Sequence, residues 1–135
     1  MVWGTKRRKA TLTREVRQKL STYLYRYAED KEIYMHINYV NADHVHTLID
    51  LPRHFALQKV AKLLKGASSF WINKNRLTKS KFSWARGYGA FSVSAFAIEK
   101  VKTYIRTQEE HHQKKSFEKE LDDFLSAYGL EVQNR

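Results

Sequence analysis

The sequence predicts an α+β fold in which an antiparallel sheet carries helices on one face. Three observations point there. Two adjacent segments, 33–40 and 43–51, alternate in side-chain character across a two-residue turn. The segments flanking them repeat apolar residues every three or four positions, the helical period. Only one Pro and five Gly interrupt 135 residues of 42% hydrophobic and 13% aromatic content, which suits one domain with a modest core and is too apolar for a disordered chain.

Taken in order, Val2 and Trp3 end a first strand, expected to be short because the sequence begins almost at it. Gly4 closes it before the basic loop Lys6-Arg7-Arg8-Lys9. Thr13 is placed to cap a helix running to about Asp30, with Val16, Leu20, Tyr23, Leu24 and Tyr27 as its apolar stripe. Ile33 to Val40 is a strand with Ile33, Met35 and Ile37 on one side and Tyr34, His36 and Asn38 on the other. Asn41 and Ala42 turn the chain into a second strand, Asp43 to Leu51, where His44, His46, Leu48 and Asp50 share a face and Pro52 ends the run. These two strands are expected to form a hairpin at the centre of the sheet.

Ala56 to Asn73 reads as a second helix, packing through Val60, Leu63, Leu64, Ala67, Phe70 and Trp71. Phe82 to Trp84 reads as a short extended piece, and Ala90 to Ser94 as a further full strand. A third helix covers about 95–110, with Ile98, Val101 and Ile105 on its apolar side and Tyr104 and Gln108 one turn apart on an adjoining face. Ser116 caps a final helix through Tyr128, which Gly129 stops. The order matches a ferredoxin-like split β-α-β arrangement with an additional C-terminal helix. Residues 1–110 form the expected main body of the domain, including the third helix, and 111–135 a helical extension of it.

The formal charge is +11, from 25 Lys and Arg against 14 Asp and Glu. It is unevenly placed: through Gln108 there are 21 basic and 7 acidic side chains, and beyond it 4 and 7. A basic body of this kind favours a polyanion, with nucleic acid first. The absence of Cys excludes disulfides and thiolate metal sites. No apolar run approaches the roughly 20 residues of a membrane span, and the opening residues lack an apolar signal region; no membrane association and a cytoplasmic location are expected.

His44 and His46, one residue apart on a strand, point the same way and can share one ion. Alone, the pair is weak evidence for a metal, and solvated or hydrogen-bonded surface histidines are the commoner reading of such a pair. Tyr104 and Gln108 on one helical edge would put a phenol beside an amide oxygen ligand; by periodicity alone they are an interfacial tyrosine and a polar residue near a helix end. His36 is assigned a sheet-face hydrogen bond, His54 a loop surface, and His111 with His112 a helix end. Lys6, Arg7, Arg8, Lys62, Lys65, Arg76, Lys79, Lys81 and Arg86 are candidates for phosphate contacts, with Trp71, Trp84 or Tyr88 available to stack on bases. Their bland alternative is a solvated basic surface and, for Trp71, the helix core.

Asp43-His44-Val45-His46 resembles the histidine, bulky apolar residue, histidine motif of the HUH endonucleases. More closely, the chain resembles the small single-tyrosine transposases that act on single-stranded DNA. The resemblance runs through Val2-Trp3-Gly4-Thr5-Lys6, the Asp43 to Pro52 block, Leu63-Leu64-Lys65-Gly66 with Ser68-Ser69, Gly87-Tyr88, and Tyr104-Ile105 followed by Gln108. Each short match is unspecific, and their ordered combination is specific. It implies Tyr104 as a nucleophile forming a 5′-phosphotyrosine link, and His44, His46 and Gln108 as ligands of magnesium or manganese. It also implies a homodimer, DNA substrates with hairpin ends, and an element-encoded accessory protein. The competing readings are a domesticated or inactive relative that binds structured single-stranded DNA or RNA without transposing, and an RNA-binding or assembly protein.

Overall fold

The computed structural model describes residues 1–108. The chain divides into two compact units, Met1–Ser92 and a second beginning at Val93. The expected boundary after residue 110 and the expected helix over 116–128 lie outside the described residues.

The first unit contains β1 (Val2–Gly4), α1 (Arg14–Asp30), β2 (Met35–Val40), β3 (His44–Ile49) and α2 (Leu57–Lys74). The second contains a 3₁₀ turn, Ala95–Ala97, leading into α3 (Ile98–Arg106). The sheet has the order β1-β3-β2 with both pairings antiparallel. This α+β, ferredoxin-like arrangement agrees with the sequence reading, but β3 alone is central and β2 stands at the end of the order.

The helices form where periodicity and capping coincide. Thr13 Oγ1 accepts a hydrogen bond from the Val16 amide at 3.3 Å, satisfying one of the orphan donors of the first turn, a contribution of about 1 kcal/mol. Val16, Leu20, Leu24 and Ala28 of α1 then meet Val60, Leu64 and Ile72 of α2 and Trp3, Met35, Val40 and Val45 of the sheet in one core. On α2 the buried stripe is Val60, Ala61, Leu64, Ser68 and Ile72, so the expected Phe70 lies outside, 68% exposed. The stripe is rotated because Ser68 is satisfied internally. Its hydroxyl donates to the Leu64 carbonyl at 2.6 Å and accepts from Trp84 Nε1 at 2.9 Å, which removes the penalty for burying it.

β2 departs from simple alternation. Met35 pairs with Ile49 but Ile37 with Leu48, so an extra residue on β2 shifts the register between them. A one-residue slip exchanges faces. Asn38, expected opposite Met35, instead joins it on the helix side. There Asn38 Oδ1 accepts from Ser21 Oγ at 2.6 Å, and Asn38 Nδ2 donates to the Ser21 carbonyl at 3.1 Å. Ile37 and Tyr39 go to the other face.

The expected strand over 90–94 is absent from the ladder. The outer edge of β1 is met instead by single bridges, Val2 with Gly89 and Thr5 with Trp84. Between these bridges the segment bulges at Gly87, whose φ of +82° suits glycine. Trp84 anchors it, edge-on to Trp3 at 5.9 Å and to Phe82 at 4.7 Å.

Candidate functional site

β3 has two faces, and its register puts Gly4 opposite His44, and both Val2 and Tyr39 opposite His46. The strand period directs both imidazoles to that face, and they meet: His44 Nε2 and His46 Nε2 are 3.1 Å apart, with the rings inclined at 73°. Both are buried. A buried imidazole needs partners for its ring nitrogens, and His44 has them. Its Nδ1 lies 2.7 Å from Asp43 Oδ1, and the Asn41 side-chain nitrogen is 3.1 Å from its Nε2. Arg8 Nη2 donates to Asp43 Oδ2 at 3.2 Å.

Burial alone would raise the Asp43 pKa. The hydrogen bond and charge of His44, with those of Arg8, outweigh it and hold the carboxyl well below the usual carboxylate range. Of the two tautomers of a neutral ring, the one with its hydrogen on Nδ1 makes the 2.7 Å contact with the Asp43 carboxylate a hydrogen bond, since a carboxylate only accepts. In that tautomer Nε2 is the acceptor and faces Asn41 and His46, each 3.1 Å away.

Two nitrogens held at about 2.1 Å in neighbouring positions of an octahedral ion stand roughly 3 Å apart, which the 3.1 Å separation matches. Among the described residues no three His, Cys, Asp or Glu gather into a metal site. On α3, where Val101 and Ile105 form the buried side, Gln108 is fully buried. Its Nε2 donates to the Tyr104 carbonyl at 3.4 Å, while its Oε1 has no hydrogen-bond partner among the described residues. An unsatisfied buried carbonyl oxygen costs about 1–3 kcal/mol and is chemically suited to a cation. The paired imidazoles of the first unit fit borderline divalent ions.

Of the other histidines, His36 Nε2 lies 2.7 Å from Asp50 Oδ1, in keeping with its expected hydrogen-bonding role. The His54 ring packs on Phe55 at 4.3 Å. His111 and His112 lie outside the described residues.

The basic residues separate into groups that sequence could not distinguish. Lys6, Arg7, Lys79 and Lys81 come together with Lys9, a residue that nothing in the sequence singles out from its basic neighbours, around a cavity of about 780 Å³ also lined by Thr5, Thr13 and Thr78. Lys65 instead turns its ammonium onto the Ala85 and Gly87 carbonyls, both at 2.8 Å, and desolvation there lowers its pKa. Arg8 reaches Asp43. Lys62, Arg76 and Arg86 are exposed. Trp71 stacks on Tyr23 at 4.6 Å and Trp84 belongs to the Trp3–Phe82 cluster, so Tyr88, 37% exposed, is the most open of the three expected stacking rings.

The sheet thus carries a buried histidine pair on one face and α1 and α2 on the other, beside a basic groove. The family model described as "Transposase IS200 like" matches residues 1–108; the chain belongs to the IS200-like transposase family. Its fold is similar to a 1.90 Å crystal structure from Deinococcus radiodurans R1 described as a candidate transposase, with a TM-score of 0.63 and 26% identity over 79% of this chain and 86% of that one. Among curated proteins none matches. No helix among the described residues is long and apolar enough to cross a membrane.

Proposed function

We propose that the protein is a metal-dependent single-stranded DNA transposase that cleaves and rejoins DNA through a 5′-phosphotyrosine intermediate. The observation that carries this reading is the pair of His44 and His46 Nε2 atoms, buried and 3.1 Å apart, in a chain of the IS200-like family. His44, His46 and the Gln108 amide oxygen would hold a divalent ion, magnesium or manganese, which supplies positive charge against the phosphoryl oxygens.

Tyr104 is the nucleophile in this reading. A phenol with a pKa near 10 is mostly protonated at neutral pH, so its proton must leave as the oxygen attacks phosphorus. The new bond joins Tyr104 Oη to phosphorus; the bond from phosphorus to the 3′ oxygen breaks, and that oxygen leaves as a 3′-hydroxyl after taking up a proton. Attack by a 3′-hydroxyl on the phosphotyrosine reverses the exchange and rejoins DNA. Each step replaces one phosphate ester by another, so no nucleotide cofactor is consumed. The groove of Lys6, Arg7, Lys9, Lys79 and Lys81 is assigned to the strand's phosphates. A homodimer, hairpin-ended substrates, an element-encoded accessory protein and a cytoplasmic location complete the reading.

The test is a denaturing gel of the full chain with labelled single-stranded DNA from the flanks of its own gene, with magnesium or manganese and with EDTA. A metal-dependent protein–DNA adduct is expected in the wild type and not in Tyr104→Phe. DNA binding without any adduct would replace this reading by a non-catalytic DNA-binding relative.

A further inference from the structure

The Asp43–His44 contact belongs to a longer device that starts on the opposite strand. Gly4 pairs directly with His44, and the Arg8 side chain lies across it: a Cβ at Gly4 would meet Arg8 Cδ and Nε, both at 3.1 Å. The missing side chain leaves room for Arg8 to cross β1 and reach Asp43 Oδ2 at 3.2 Å and, at 3.5 Å, the edge of His44 Nδ1. The backbone is bent to make this reach. Arg7 and Arg8 both adopt left-handed φ angles, 57° and 55°, unusual for consecutive non-glycine residues and a form of strain that collects near functional sites. Thr5 fastens the turn by donating its hydroxyl to the Lys9 carbonyl at 2.7 Å.

We propose that Asp43 and Arg8 are positioning residues, which hold the His44 ring in the tautomer and orientation that keep its Nε2 lone pair directed toward His46 and available to a divalent ion. Asp43 accepts the Nδ1 hydrogen; Arg8 fixes the other carboxylate oxygen so that Asp43 cannot rotate away. A histidine whose remote nitrogen is tied to a carboxylate is a better-oriented and more basic ligand. The Asn41 side-chain nitrogen lies 3.1 Å from the same Nε2. The consequence for metal rests on the functional reading above, whereas the tautomer lock rests on hydrogen-bond geometry within the first unit.

Two measurements on the full chain separate these layers. Nitrogen-15 NMR of the metal-free protein reads the His44 tautomer, and calorimetry with manganese alone reads the affinity. In the wild type, His44 is expected to carry its hydrogen on Nδ1. Asp43→Ala is expected to lose that preference and about 10–100-fold in manganese affinity. Asp43→Asn, which keeps an acceptor oxygen, should retain the tautomer and lose less affinity. Arg8→Gln supplies a milder variant if Asp43→Ala does not fold, with a mixed tautomer and an affinity loss between these two. An unchanged Nδ1-protonated ring in Asp43→Ala or Arg8→Gln, with manganese affinity within twofold of wild type, would overturn the proposal. If the wild type binds no manganese but the tautomer still depends on Asp43, the metal reading fails and the positioning role stands.

Discussion

β3 carries the core on one face and the candidate site on the other. Val45 sits in the apolar cluster with Trp3, Leu20, Leu24 and Leu64, while His44 and His46 lie one residue to either side and are also buried. The two faces achieve burial by different physics. Apolar packing is non-directional and tolerates approximate partners. Buried imidazoles require directed ones, and His44 takes them from Asn41, Asp43 and, through Asp43, Arg8. Substitutions on the first face should therefore cost stability, and substitutions on the second should cost function.

The sharpest break between the faces is expected from replacing His44 and His46 together by Ala. Metal-dependent adduct formation should fall at least about 1,000-fold, on the order seen when members of a catalytic unit are removed. Gel assays of adduct yield check this, with circular dichroism confirming that the protein remains folded. Undiminished metal-dependent cleavage would dismiss the pair as ligands.

The complementary substitution is Leu24→Ala, in the core reached from the other face. Leu24 is fully buried, so truncation should cost about 2–5 kcal/mol in urea unfolding. Adduct yield per folded molecule should hardly change. A large drop in specific activity at normal stability would mean that the two faces are not separable.

The same contrast explains what could be read in the sequence. The hairpin of β2 and β3, the shared direction of His44 and His46, the Thr13 cap and the extents of α1 and α2 follow from periods of 2 and 3.6 and from local hydrogen bonding, which are written in neighbouring residues. The extra residue in β2 is not, because a shift between Met35 and Ile37 appears only in the pairing with β3. Nor is the edge pairing of β1: the alternation of 90–94 is a weaker determinant than the anchoring of Trp84 by Trp3 and Ser68, from distant parts of the chain. At the site, spacing alone made the histidines candidates, whereas the Arg8–Asp43 contact joins residues 35 apart. Composition marked Arg8 and Lys65 as basic and could not show that each directs its charge at groups of the protein itself.

Lys65 offers a smaller test. Its two 2.8 Å bonds to the Ala85 and Gly87 carbonyls fasten the bulged edge segment to α2, and Lys65→Met should cost about 1 kcal/mol, below the usual range for charged hydrogen bonds because solvent screens this half-buried group. Urea unfolding measures it. The salt dependence of DNA binding should be unaltered, since this ammonium is directed at carbonyls.

The smallest effect on stability, and the most diagnostic for the groove, is expected from Lys79→Gln combined with Lys81→Gln. Both residues are exposed on the cavity wall, so the change in stability should stay within about 0.5 kcal/mol. If each neutralises one phosphate of a single strand, the slope of log affinity against log salt should become shallower by about 0.7 per residue, roughly 1.4 for the pair. Fluorescence anisotropy over a salt series with an unstructured oligonucleotide checks this. An unchanged slope would move the DNA path away from this groove, while a shallower slope in Lys65→Met instead would mean that the Lys65 ammonium leaves its carbonyls when DNA arrives.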